Sequence, residues 1–262
     1  MSPDTEKYCL LLAREQKLNV PAVARLTAEF FVAPLPEIAM SLRKGHGFLA
    51  SALPKVAGLE IQRRLDALGV ETVLLPVSAL IPLPHPSPIK EMDLAPDGLS
   101  VHKNIAGPAS RIPYAQILFL SVCHILHALQ AHEASPGSKN LLDTIHKFNP
   151  LRSLHESIER SIIKPRLRME TILNIFTRKP PAYYKMSRDT VHFGDLGEKK
   201  SATARRNFLA VLENLIAKAP AAYVTALTRR FIGREEPGKS AFDDLPEANR
   251  YHAWLLNILA SR

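Results

Sequence analysis

The chain has 262 residues, 46% of them hydrophobic and 23% charged, with a formal net charge of +9. That length suits two ordinary domains rather than one small core, and the composition excludes a disordered chain. No apolar run reaches the roughly 20 residues that span a bilayer; the longest, Ile117–Leu129, is interrupted by Ser121, His124 and His127.

The first residues, with Asp4, Glu6 and Lys7 ahead of a short apolar run, lack the basic start of a signal peptide, so the expected location is cytoplasmic. Tyr8 to Ala13 is a continuous apolar run and predicts a buried strand. Pro21 behind Asn19, with Val23, Leu26 and Phe30 at helical spacing, predicts a helix. Leu35, Ile38, Ala39 and Leu42 predict a second, starting near Pro36. Gly45 and Gly47 then allow a turn into a strand at Phe48 to Leu53, with His46 between them expected as an exposed turn residue. The turn is too short for a phosphate-binding loop. Ile61, Leu65 and Leu68 predict a third helix, closed by Gly69, and Val70 to Val77 a third strand.

The order strand, helix, helix, strand, helix, strand, and the stretch PLPEIAMSLRKGHGFLASALPKVAGLEIQRRLDALGVETVLLP from Pro34 to Pro76, resemble the C-terminal domain of the bacterial ribosomal stalk protein. That family meets translation factors through a lysine-rich helix face, whereas Pro36 to Gly47 offers Arg43, Lys44 and His46. The resemblance therefore implies the fold and not the ribosomal activity.

Ile81 to Pro88, IPLPHPSP, carries four prolines in eight residues and predicts a stiff spacer, which places a first domain at 1–80 and a linker at 81–90. Beyond it, Asp97 to Ile125 predicts a short strand, a Gly/Pro turn, a second strand opening on Ile112-Pro113-Tyr114 and a long apolar strand. Further strands are expected at Arg168–Phe176, Ala182–Met186 and Thr190–Phe193. Phe208, Val211, Leu212, Leu215 and Ile216 define an amphipathic helix within Ser201–Ala219, capped by Ser201 or Thr203. Tyr223, Leu227 and Phe231 suggest another helix ending at Gly233, and Tyr251, Trp254, Leu255, Ile258 and Leu259 a last one from Pro246.

Asp97-Gly98-Leu99, the run Ile112 to Ile117 and Asn207-Phe208 together resemble a pleckstrin-homology-like or GRAM-like domain. The resemblance implies a bent barrel over 91–219, plugged by the Phe208 helix and interrupted by a helical insertion at about 127–165. The expected fold class is α+β: a small three-stranded α/β sandwich domain, then a PH-like β-barrel with a capping helix, then C-terminal helices at 220–262.

The charge is unevenly placed, since Lys147 to Arg206 holds fourteen lysines and arginines against six acids, a surplus of eight. Lys164, Arg166, Arg168, Arg178, Lys179, Lys185 and Arg188 are the expected contacts for an anionic partner, either an acidic protein or a phospholipid surface. Nucleic acid is the alternative anion, and with the stalk-like domain it points to an RNA-binding or ribosome-associated role. His124 and His127 would share one face of a helix and make a candidate metal site for a hydrolase, but would diverge in a strand. His132, His146 and His155 lie nearby in sequence. Cys9 and Cys123 are the only cysteines, each in an apolar segment, and are expected as buried thiols. Of Tyr183-Tyr184, alternation places one ring in the core and one at the surface, and Asp243 and Asp244 suit the start of the last helix. No catalytic or cofactor motif appears, so the expected role is a non-enzymatic binding or scaffold protein.

Overall fold

In the computed structural model, residues 6–104, 107–128, 167–193, 200–234 and 241–261 are described. Contacts divide the chain into one unit of Met1–Ile125 with Glu170–Arg262, and a second of Leu126–Met169. Only the two ends of the second unit fall among the described residues, so the expected helical insertion lies almost wholly outside them.

Residues 8–76 follow the predicted order. Strand β1 (Tyr8–Leu12) is central in a three-stranded sheet, flanked by β2 (Phe48–Leu53) and β3 (Thr72–Pro76), with both neighbours antiparallel. Helices α1 (Val20–Ala28), α2 (Leu35–Lys44) and α3 (Lys55–Ala67) complete the β-α-α-β-α-β series. Asn19 caps α1 by accepting a hydrogen bond from the Ala22 amide. Gly69, at φ +73°, turns the chain out of α3 in the left-handed conformation that glycine adopts without a Cβ penalty. Leu10, Leu11, Val23, Ile61 and Leu65 are fully buried at the centre of this layer.

The following strands form two further sheets. The smaller is an antiparallel meander of β5 (Glu91–Ala95), β6 (Gly98–His102) and β7 (Ser110–Ile112). The larger is built on β8 (Ile117–Ala128), β9 (Leu167–Thr177) and β10 (Tyr183–Ser187), with β4 (Pro86–Pro88) parallel to β10 at one edge. Two short strands, β11 (Tyr223–Val224) and β12 (Ala241–Phe242), cover successive parts of the β8 edge. The molecule is therefore a mixed α+β protein with several sheets, and the described strands close no barrel.

Three local expectations change. Pro86 to Pro88, expected in a spacer without strand pairing, lies at a sheet edge, where a missing N–H costs nothing on the solvent side. Thr190–Phe193 forms no strand beyond a single bridge from His192 to Glu91. Tyr223 belongs to a strand, so the helix expected there is the shorter α5 (Ala226–Ile232), capped by Thr225.

Helix α4 (Ala204–Lys218), capped by Thr203, buries Phe208, Val211, Leu212 and Leu215 in a core with Leu99, Val101, Ile117, Leu173 and Met186. The opposite face of the large sheet is covered by α6 (Leu245–Ala260), which is buried on most of its circumference. One hydrophobic core joins α6, the first sheet and the side chains Phe119, Phe176 and Tyr183. Asp244 caps α6 by accepting from the Glu247 amide, the role expected for this acidic pair.

Polar side chains of α6 complete that packing. Trp254 Nε1 donates to the Leu12 carbonyl at 2.8 Å, and Asn257 pairs with both backbone groups of Ile81. His46 is not an exposed turn residue: it is half-buried, 2.7 Å from Glu247, with its ring edge on Phe242. Glu15 accepts hydrogen bonds from Tyr251 (2.5 Å), Tyr223 (2.6 Å) and the Ala226 amide (2.8 Å), and is 14% exposed. Removing it leaves a buried phenol and a helix-start amide without an acceptor. Glu15→Ala is expected to cost about 2–4 kcal/mol in urea unfolding, more than Tyr223→Phe; a loss below about 0.5 kcal/mol, the size of a surface change, would contradict this role.

Candidate anion-binding surface

The β9–β10 hairpin fixes where the basic residues go. Tyr183 pairs with Phe176 and Ser187 with Ile172, so Arg178 and Lys179 occupy the turn while Arg188 emerges at the far end. At about 3.3 Å per residue the two ends are separated by roughly 17 Å or more. Strand β8 runs antiparallel to β9 and starts at the turn end, for the Arg178 amide donates to the Gln116 carbonyl and His124 bonds Thr171.

At the turn end, Arg178 and Lys179 are exposed. Thr177 holds the loop in shape, its hydroxyl donating to the Pro180 carbonyl and accepting from the Ala182 amide. Lys218, the last residue of α4 and also exposed, lies 5.7 Å above the Tyr114 ring. Tyr114 belongs to the same short turn as Gln116, and its hydroxyl donates to the Ala95 carbonyl. Burial, then the charge of Asp93, pushes its phenol up. Arg178, through its amide, and Lys218, through its ammonium, thus each meet the Tyr114–Gln116 turn, and Lys218 also complements the negative end of its helix.

The other expected contacts sit elsewhere. Lys185, one-quarter exposed, has its Nζ 3.9 Å from Glu170, and Arg188 Nε lies 3.0 Å from Asp189. Arg188 and Arg205 both act on His124, whose pKa is lowered first by burial and then by these charges. Arg168 is exposed near the start of β9 in the second unit, and Lys164 and Arg166 lie outside the described residues. The counted surplus therefore does not form one patch. Lys218 was missed by the sequence reading because it lies beyond the charge-rich stretch.

His124 is 5% exposed and bonded to Thr171 through Nδ1, 3.1 Å. The segment is a strand through Ala128, in which positions three apart belong to opposite faces. The shared helical face on which His124 and His127 would ligate one ion is not formed; His127's side chain, like His132, His146 and His155, lies outside the described residues. Among the described residues no three His, Cys, Asp or Glu side chains gather as a metal site.

The remaining polar cluster is internal. Asn174 donates to the Ser121 carbonyl and to Cys123 Sγ, and accepts from the Tyr183 hydroxyl at 2.8 Å. Burial pushes the Cys123 thiol up to about 12, so it is no nucleophile, and Cys9 is likewise a buried free thiol. Tyr183 is stacked on Phe176, while Tyr184 is half-buried in the core on the opposite face.

Comparison with family models, with curated proteins and with solved structures finds no match for this chain. No helix among the described residues is long and apolar enough to cross a membrane.

Proposed function

We propose that the chain is a non-enzymatic binding or scaffold protein that engages an anionic partner through Arg178, Lys179 and Lys218. The observation that carries the reading is that the Tyr114–Gln116 turn is met both by the Arg178 amide and by the Lys218 ammonium, with exposed Lys179 next to Arg178 in the chain, while Lys185 and Arg188 are each beside a carboxylate. A pleckstrin-homology-like architecture for β5–β10 with α4 is part of the proposal. Two antiparallel meanders sharing one core with an amphipathic helix support it. The stalk-like reading of residues 8–76 is supported by their element order alone. The partner class is one of acidic oxygens, on a protein segment or a phospholipid headgroup, and electrostatic attraction of this kind weakens with salt.

The test is co-sedimentation with phosphatidylserine-containing vesicles and retention on polyglutamate, each across a salt series. The double reversal Arg178→Glu/Lys179→Glu is expected to weaken binding at low salt by about tenfold or more, since each cation near an anionic surface is worth about 1 kcal/mol. Arg188→Glu, at the far end of the hairpin, is expected to change it little. Absence of binding to both probes at low salt, or an equal loss from Arg188→Glu, would overturn the assignment.

A further inference from the structure

We propose that the end of the large sheet remote from the Tyr114–Gln116 turn binds the sugar–phosphate backbone of a nucleic-acid duplex through Lys200, Arg205, Arg206 and Arg234. This surface is separate from that of Arg178, Lys179 and Lys218, and the proposal stands whether or not the latter binds its anion.

Packing brings these residues to one place although they belong to separate elements. Helix α5 climbs β8: the Thr225 amide donates to the Leu120 carbonyl, the Thr228 hydroxyl accepts from the Val122 amide, and the Phe231 ring reaches His124, centroids 5.8 Å apart. Phe231 also meets Phe208 of α4 edge-on at 5.7 Å, so the end of α5 abuts the start of α4. Arg234 follows directly, its amide donating to the Phe231 carbonyl. Arg205 and Arg206 are in the first turn of α4, whose last residue is the Lys218 at the other end of the sheet. Lys200 is held beside that first turn because Asn207 bonds both backbone groups of Ser201, at 2.7 and 3.0 Å.

These cations have no structural use. All four are exposed, and among the described residues no carboxylate pairs with them, whereas Arg188 at the same end lies beside Asp189. The first turn of α4 holds no acid, so Arg205 and Arg206 sit at the positive end of their helix, where a cation is unfavourable. A local rule broken without a packing gain is the mark of a functional surface. Three of the four groups are guanidinium, which meets phosphate oxygens through two parallel N–H···O bonds. Their spread over two helices and a loop suits a row of phosphates. Among the described residues of α4, α5 and 187–193 no Phe, Tyr or Trp is exposed, so this end offers no ring on which the bases of a single strand would stack. The partner is therefore a duplex, held by its backbone without sequence preference.

The experiment is fluorescence anisotropy of a labelled mixed-sequence DNA duplex, and of one of its strands alone, with the full chain across a salt series. The duplex is expected to bind more tightly than the strand. Arg205→Glu/Arg206→Glu should weaken duplex binding by about tenfold or more and flatten its log–log salt dependence by about one to two, since each phosphate contact contributes about 0.9 to that slope. Acids suit a helix start, so this variant should resist urea at least as well as wild type, and its loss of binding is not unfolding. Arg234→Glu, outside the helix, should weaken the duplex in the same sense. Arg178→Glu/Lys179→Glu changes the net charge by the same amount and should leave duplex binding largely intact, which separates a located site from the charge of the whole chain. The proposal is overturned by no duplex binding at low salt, by a single strand bound as tightly as the duplex, by equal losses from the two double variants, or by an α4 variant that loses phosphatidylserine vesicles and keeps the duplex.

Discussion

Trp254→Ala is expected to lower the free energy of unfolding by about 3–5 kcal/mol, the range for emptying a large aromatic site in a core. The indole is 3% exposed, donates to the Leu12 carbonyl and lies against Gly47. Gly47 has φ +102°, and a Cβ there would fall 2.1 Å from the indole ring. Gly47→Ala is thus strained twice, by its backbone and by the ring, and it should destabilise even though it adds one methyl group. Trp254→Phe keeps most of the volume and loses the N–H donor, so a smaller cost of about 1–2 kcal/mol is expected. Urea unfolding followed by circular dichroism ranks the variants. Trp254→Ala and Trp254→Phe costing the same would show that the ring's volume is not what matters. Because Trp254 is the only tryptophan, its fluorescence reports directly on the Gly47 variant.

The second large effect is a loss of stability on acidification, centred on His252. Its Nε2 lies 3.0 Å from Ser121 Oγ, and its Nδ1 is buried without a hydrogen-bond partner. A neutral ring that donates from Nε2 leaves only a lone pair unpartnered, whereas protonation would bury an unpaired N–H and a charge. Burial accordingly lowers the pKa from 6.5 to about 3. The folded protein then binds fewer protons than the unfolded chain between these values. Stability is unaffected above about pH 6.5, falls by about 1.4 kcal/mol per pH unit below it, and levels off below about pH 3. Urea unfolding of wild type and His252→Gln at several pH values isolates the contribution, since His124 and the carboxylates are common to both. A stability difference between the two proteins that stays constant from pH 6.5 to pH 4 would refute it.

Much of the first sheet was legible because its signals are local. Phe48–Leu53 is an apolar run bounded by glycines and a proline, and Gly69 marks a helix end by its own conformational freedom. Helix α4 and its cap followed from periodicity in the same way. What the sequence did not disclose is set by partners far away in the chain. His46 is half-buried only because Glu247 and Phe242 come to it. Tyr223 fits a helical spacing with Leu227 and Phe231, yet pairing with Phe119 makes it a strand. The candidate surface was legible as an amount of charge but not as a place. An antiparallel hairpin sends Arg178 and Arg188 to opposite ends, and Lys218 joins the former through helix packing.

Helix α6 also governs how the chain reaches its native state. Its bonds to Leu12, His46 and Ile81 close loops of 242, 201 and 176 positions. Contacts this remote in sequence slow the search for the native topology. Until residues 245–260 have been synthesised, the inner surface of the first sheet has no lid of its own, and a nascent chain must wait with Leu12 and the aromatic face of the large sheet uncovered. The length of that interval is set by translation of the connecting residues.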